Sequence, residues 1–196
     1  MKLGQAVNKL AQCDLHGFNV TTSLWELLPF KVIYSVDGRF IGRSVSFYNR
    51  RVFICPQDIP LNYPIIKIGK TDSEPLMIYA SQENINRNES YLFSFTGFNI
   101  QGNATIHRLV KTQSASGMGG KATDSVHGIF PVALEKGFSG PANLQVAGAY
   151  NSRVSCYIPS YAGVELSDTL EFEGEFYTID ELLPELRLTF LQLTKK

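Results

Sequence analysis

Residues 153–195 read RVSCYIPSYAGVELSDTLEFEGEFYTIDELLPELRLTFLQLTK. Val154, Cys156 and Ile158 alternate with Ser155 and Tyr157 until Pro159 ends the run. Leu170 and Phe172 alternate with Glu171 and Glu173, and Glu173-Gly174-Glu175 makes a tight reversal into Phe176-Tyr177-Thr178-Ile179. Leu186, Leu188, Phe190 and Leu191 close the chain. Successive side chains of a strand point to opposite faces, so period-2 alternation broken at short intervals by Gly and Pro predicts an antiparallel sheet or small barrel. The pattern places Phe172, Phe176, Ile179, Leu188 and Phe190 inward. Almost no chemically reactive side chains lie in this stretch, which points to a scaffold or assembly module more than to a catalyst.

The same texture extends upstream. From Phe18 onward, short apolar runs recur at Lys31–Val36, Arg39–Phe47, Arg51–Cys55, Ile65–Ile68, Leu76–Ala80, Tyr91–Phe98 and Ala104–Val110, and Asp37-Gly38 is a hairpin signal. Leu3, Val7 and Leu10 fall on one face of a 3.6-residue repeat and predict a short leading helix. Residues 112–125, TQSASGMGGKATDS, are small and polar and read as a flexible linker or loop. The expected fold is therefore mainly β, an antiparallel barrel or sandwich with a short N-terminal helix. Two small β domains are expected: 1–111 with the leading helix, and a barrel-like domain at 126–196.

Size and composition bound the function. A chain of 196 residues holds one large or two small domains, and 44% hydrophobic residues suffice for packed cores. Lys plus Arg equals Asp plus Glu at 18 each, so the formal net charge of zero gives no footprint for general nucleic-acid binding. Cys13, Cys55 and Cys156 are odd in number and widely spaced, a poor disulfide framework, and are expected as free thiols in a reducing compartment. No signal-peptide pattern is evident, and no apolar run approaches the roughly 20 residues of a membrane span.

The motifs that invite chemistry each fall short of it. Gly117-Met118-Gly119-Gly120-Lys121 suggests a phosphate loop, but Ala115 stands where that loop needs its first Gly and Ala122 where it needs a magnesium-holding hydroxyl. The Gly-rich segment instead suits an arm that orders against a partner subunit. The acidic series Glu165 to Glu185 reads as a solvated face. Ser139-Gly140-Pro141 reads as a turn, and His16, His107 and His127 have no nucleophile nearby in sequence. Trp25 is a core residue or an aromatic anchor at an interface. Leu3, Val7, Leu10, Trp25, Gly117, Gly119, Gly120 and Lys121 are the candidate interface residues. No catalytic, cofactor-binding or metal-binding residue is assigned.

Residues 163–179 carry one resemblance. The order of Gly163-Val-Glu-Leu-Ser-Asp168, a strand, Glu173-Gly-Glu-Phe-Tyr177 and a final strand resembles the small β-barrel proteins at the head–tail junction of tailed bacteriophages. Asp168, Gly174 and Tyr177, with Ile179 in the last apolar place, match a turn phrase common in that group, and Ser167 stands where Gly is usual. The resemblance implies a virion structural protein made in the host bacterial cytoplasm. It implies a homo-oligomeric neck ring that joins portal or adaptor to tail proteins and lets viral DNA through without reading its sequence. A tail, collar or baseplate component, and a β-barrel enzyme or ligand-binding protein without a recognisable motif, are the alternatives. Because His and Cys show no metal-ligand spacing, elemental analysis of the purified protein is expected to find no stoichiometric zinc or iron; one tightly held equivalent would contradict this reading.

Overall fold

The computed structural model describes residues 13–35, 50–69, 72–79, 93–112, 121–135 and 153–196. Twelve strands are defined, and they divide into two compact units. The expected leading helix at 1–12, the Asp37-Gly38 hairpin and the strand at 39–47 lie outside the described residues.

The first unit comprises Met1–Ile100 with Leu186–Leu188. Its strands are β1 (Cys13–Asn19), β2 (Leu24–Ser35), β3 (Arg50–Cys55), β4 (Ile65–Ile68), β5 (Leu76–Tyr79) and β6 (Phe93–Asn99). They form a closed antiparallel barrel in the order β1-β2-β3-β6-β5-β4, with β4 returning to pair with β1 through Leu15↔Ile68 to Phe18↔Ile65. Leu15, Val32, Ile66 and Ile78 fill the interior around Phe53 and Phe95, whose rings stack at 5.4 Å. Gly17 is needed for close approach: a Cβ there would come within 2.5 Å of the Tyr63 ring. Tyr63 therefore packs across β1 only because that position is bare.

The second unit comprises Gln101–Glu185 and Thr189–Lys196. Its strands are β7 (Gly102–Thr112), β8 (Lys121–Glu135), β9 (Arg153–Pro159), β10 (Thr169–Phe172), β11 (Glu175–Pro184) and β12 (Leu188–Lys195), with one 3₁₀ turn at Ser160–Ala162. This barrel also closes, in the order β7-β8-β9-β12-β11-β10, with β10 paired to β7. Counted from its own first strand, each barrel runs first-second-third-sixth-fifth-fourth. The two units thus share one topology, a repeat that the sequence does not reveal.

The boundary between units differs from the expected one. It falls between Ile100 and Gln101, and not within 112–125. Thr112 pairs with Lys121, Val110 with Thr123 and Leu109 with Asp124, so the predicted linker contributes to the β7–β8 ladder inside the second unit. Ala122 to Ser125 are exposed along this ribbon. Strands that stand in water need no apolar side chains, and their composition then matches that of a linker. The true junction is only the short step from Asn99 to Gly102, with no change of composition to mark it.

The hairpin at Glu173-Gly174 follows the sequence reading. Both residues have positive φ, 52° and 79°, and Phe172 pairs with Glu175 across them. Two left-handed residues between antiparallel strands make a type I′ turn, which suits the strand twist. The inward set is corrected in part. Phe172, Ile179 and Leu188 are buried, but Phe176 is 44% exposed and Phe190 is only half-buried, its ring 5.4 Å from that of Tyr157. Leu191 and Leu193 take the core places on β12, opposite Leu182 and Ile179. Phe176 alternates with the inward Tyr177 and Ile179, so the period of the strand itself turns it outward; the register shift between Ile179 and Glu181 acts only beyond it and brings Leu182 to the core. Leu191→Ala is therefore expected to cost about 2–5 kcal/mol in denaturant unfolding. Phe176→Ala should stay within about 0.5 kcal/mol of wild type; the reverse order would show that the register is wrong.

Candidate functional site

Three polar constellations and one orphaned cation stand out among the described residues. The first ties β7 to the loop before β10. Arg108 grips Asp168 with both arms of its guanidinium, Nε to Oδ1 at 2.8 Å and Nη2 to Oδ2 at 2.7 Å. Nη2 also donates to the Gly163 carbonyl at 2.7 Å, and Nη1 lies 3.1 Å from Glu165 Oε1. Asp168 Oδ2 further accepts the Glu165 backbone N–H at 2.8 Å. Burial pushes the Asp168 carboxyl up, but the bonds from Arg108 and the Glu165 amide, with the charges of Arg108 and His127, outweigh it and hold the group below the usual range. Every oxygen of this carboxylate is used, so it is a structural latch and no acid or base.

The second constellation is His107 on β7. Its Nε2 lies 2.9 Å from Glu171 Oε2, its Nδ1 lies 3.7 Å from Asp124 Oδ2, and its ring centre is 5.7 Å from that of Phe176. A His–carboxylate pair is half of a general-base arrangement. Here Nε2 is engaged by Glu171, and among the described residues no hydroxyl or thiol is hydrogen-bonded to the ring. Among the described residues no trio of His, Cys, Asp and Glu is disposed to hold a metal ion.

The third lies in the first barrel. Glu26 accepts from Tyr63 Oη at 2.6 Å, Asn19 Nδ2 at 2.8 Å and Thr22 Oγ1 at 3.0 Å. The Tyr63 bond first, then those from Asn19 and Thr22, lower its carboxyl, while the same bond raises the Tyr63 phenol. The thiols are equally quiet. Cys55 and Cys156 are buried, and burial raises both, Cys156 to about 12. A thiol so far from ionising is no nucleophile at neutral pH.

The orphaned cation is Arg187, buried within the first unit. Its Nη2 donates to the Ile59 carbonyl and lies 3.4 Å from Asp58 Oδ1, and its guanidinium sits 5.7 Å from the Phe95 ring centre. Burial pushes its pKa down, against the pull of Asp58. Nε and Nη1 have no partner. An unmet buried donor costs about 1–3 kcal/mol, more when charged.

The expected interface residues are only partly placed. Leu3, Val7, Leu10, Gly117, Gly119 and Gly120 lie outside the described residues. Trp25 is 40% exposed on β2, edge-on to Phe18 at 5.5 Å, with the Lys67 ammonium 4.6 Å above its ring. Exposed Leu24 and Leu27 flank it. Lys121 opens β8 opposite Thr112. Trp25 and Lys121 belong to different units, so they do not form one site within either barrel.

The exposed apolar residues of the second barrel were not singled out in the sequence. Ala104, Ile106 and Leu170 face the core, so their neighbours Thr105, His107, Leu109 and Glu171 face out. Registry puts Ile129 beside Thr105, Val126 beside His107 and Phe176 beside Glu171. Leu109, Val126, Ile129 and Phe176 thus share one outer face, with exposures of 59%, 60%, 66% and 44%. No sequence window shows this face, because its residues come from separate strands. No protein-family model matches the chain, and no curated protein or solved structure is significantly similar to it.

Asp168→Asn tests the latch. It keeps the shape but removes the charge, and is expected to cost about 3 kcal/mol, the low end for breaking a buried pair because Arg108 is partly exposed. The folded-state pKa of Asp168 is depressed, so its contribution is present above the ordinary carboxylate value and lost as pH falls through the folded value. Wild type should therefore lose more stability than the variant on acidification below about pH 5. Parallel stability–pH curves would contradict the latch.

Proposed function

We propose that this protein is a non-catalytic assembly module, two β-barrels of one design, of which the second docks a neighbouring protein through the outer face of β8-β7-β10-β11. The exposed Leu109, Val126, Ile129 and Phe176 carry this reading. Scattered apolar residues on a surface are ordinary, but four converging on one sheet face mark an interaction site. The polar groups around them are saturated by one another, which suits recognition by shape and leaves little for catalysis.

The resemblance of residues 163–179 to phage head–tail junction proteins suggests which assembly: a neck ring around the DNA channel, made of copies of this chain and set between portal or adaptor and tail proteins. What supports it is the β-barrel architecture and the matching turn. Asp168 and Gly174 have full structural duties here, as latch and as left-handed turn residue. Either duty would serve any barrel, so the ring reading stands on the exposed face more than on the motif.

One observation favours a second reading. Paired antiparallel barrels are among the scaffolds that carry a serine nucleophile with its histidine base. Gly137-Phe138-Ser139-Gly140-Pro141 precedes β9 of the second barrel in the chain. Among the described residues, however, no histidine is hydrogen-bonded to a hydroxyl or thiol.

Sedimentation velocity separates the readings. The assembly module should give a discrete species larger than a dimer. Val126→Glu with Ile129→Glu should reduce it to monomer while stability stays within about 0.5 kcal/mol per site. A wild-type monomer at high concentration would sink the ring. A fluorophosphonate adduct on Ser139 would replace the module with an acyl-transfer enzyme.

A further inference from the structure

In a ring of identical copies, a patch on one copy meets a different patch on the next; a patch that meets its own image closes a dimer instead. A ring built through the outer face of β8-β7-β10-β11 therefore needs a second, different surface on the same chain. The first barrel carries a fitting one. Leu28 and Val32 lie in its core, so Trp25 and Leu27, at alternate places on β2, face outward. Registry sets Phe18 beside Trp25, His16 beside Leu27, and Lys67 of β4 beside His16. Trp25 is 40% and Leu27 63% exposed. A half-open Trp with an apolar neighbour is the kind of anchor around which interfaces concentrate their binding energy.

The two surfaces carry opposite charge at their centres. On the first barrel the Lys67 ammonium lies 4.6 Å above the Trp25 ring, and Lys31 pairs with Asp14 at 3.3 Å on the same outer face. On the second barrel Asp124 and Glu171 flank His107 among Leu109, Val126 and Phe176, with Lys196 held on Thr169 nearby. Asp124 is 62% exposed and so open to an approaching cation. Two copies of the second barrel's face laid together would bring Asp124 and Glu171 against their own images, and like charges disfavour such a contact. Laid on the first barrel's patch, the same carboxylates approach Lys67 while the apolar residues cover Trp25 and Leu27. We propose that the outer face of the second barrel docks, head to tail, on the Trp25-Leu27-Lys67 patch of the first barrel of another copy of this chain. This pairing rests on the assembly reading and names the partner surface that reading requires.

Sedimentation velocity of two variants, alone and mixed, tests the pairing. Trp25→Ser with Leu27→Glu removes the first barrel's patch, and Val126→Glu with Ile129→Glu removes the second barrel's face. Each variant alone should be a monomer with the circular-dichroism spectrum of wild type. An equimolar mixture should give a heterodimer and nothing larger, because one intact contact remains between the two variants and neither can extend it. Leu27→Glu alone keeps the Trp25 ring on Phe18 and should weaken self-association by about tenfold or more; it serves if the double variant fails to fold. A first-barrel variant that assembles like wild type, or that dimerises through its intact second barrel, would overturn the pairing and leave the assembly reading standing. Two monomeric variants whose mixture stays monomeric would also overturn it. A wild-type monomer would overturn the assembly reading itself, and the pairing with it.

Discussion

Each barrel depends on the pairing of its first strand with its fourth. β1 would otherwise leave one edge open beyond β2, and β7 one edge beyond β8. In the first barrel β4, four residues long, returns to β1 through Leu15↔Ile68 and Phe18↔Ile65. In the second, the equally short β10 returns to β7 through Leu170↔Ile106. Closure satisfies the backbone groups that an open sheet would expose and sends alternate side chains into one interior. The supporting details gather at these seams. Gly17 leaves room for Tyr63 beside the β1–β4 pair, and Arg108 grips Asp168 next to Thr169↔His107.

Closure also explains what is left for function. A sealed barrel has no edges to offer except where strands overrun it. β7 and β8 do so: their ladder runs out to Thr112↔Lys121, while β10 pairs with β7 only as far as His107. The outer face near this ribbon carries Leu109, Val126 and Ile129. The first barrel presents a smaller counterpart around Trp25, with Leu24 and Leu27 exposed on the same strand. One fold used twice has thus been given different surfaces, while the interiors keep the same apolar character.

Strand identity was legible because period-2 alternation and Gly-Pro punctuation act locally. Ile65–Ile68 coincides with β4, and the Glu173-Gly174 reversal is a two-residue turn. Facing was less legible. Phe176 alternates with the inward Tyr177 and Ile179 and so lies outside, while the shift between Ile179 and Glu181 moves the next inward place to Leu182. The unit boundary was misplaced because an exposed ribbon and a linker share one composition, and the duplication is written only in strand order. The buried Arg187 sits in Glu-Leu-Arg-Leu, where a charge between apolar neighbours reads as the wet face of a strand. Of the expected interface residues, Trp25 alone has a described side chain, and it is 40% exposed.

Amide hydrogen exchange followed strand by strand tests closure most directly. The account predicts that the paired amides of β4 against β1, and of β10 against β7, are protected to a degree comparable with the β1–β2 and β10–β11 hairpins, since a closed barrel opens as one unit. Rapid exchange confined to β4 and β10, with the hairpins still protected, would mean that the sheets are open and that the shared closed-barrel design is wrong.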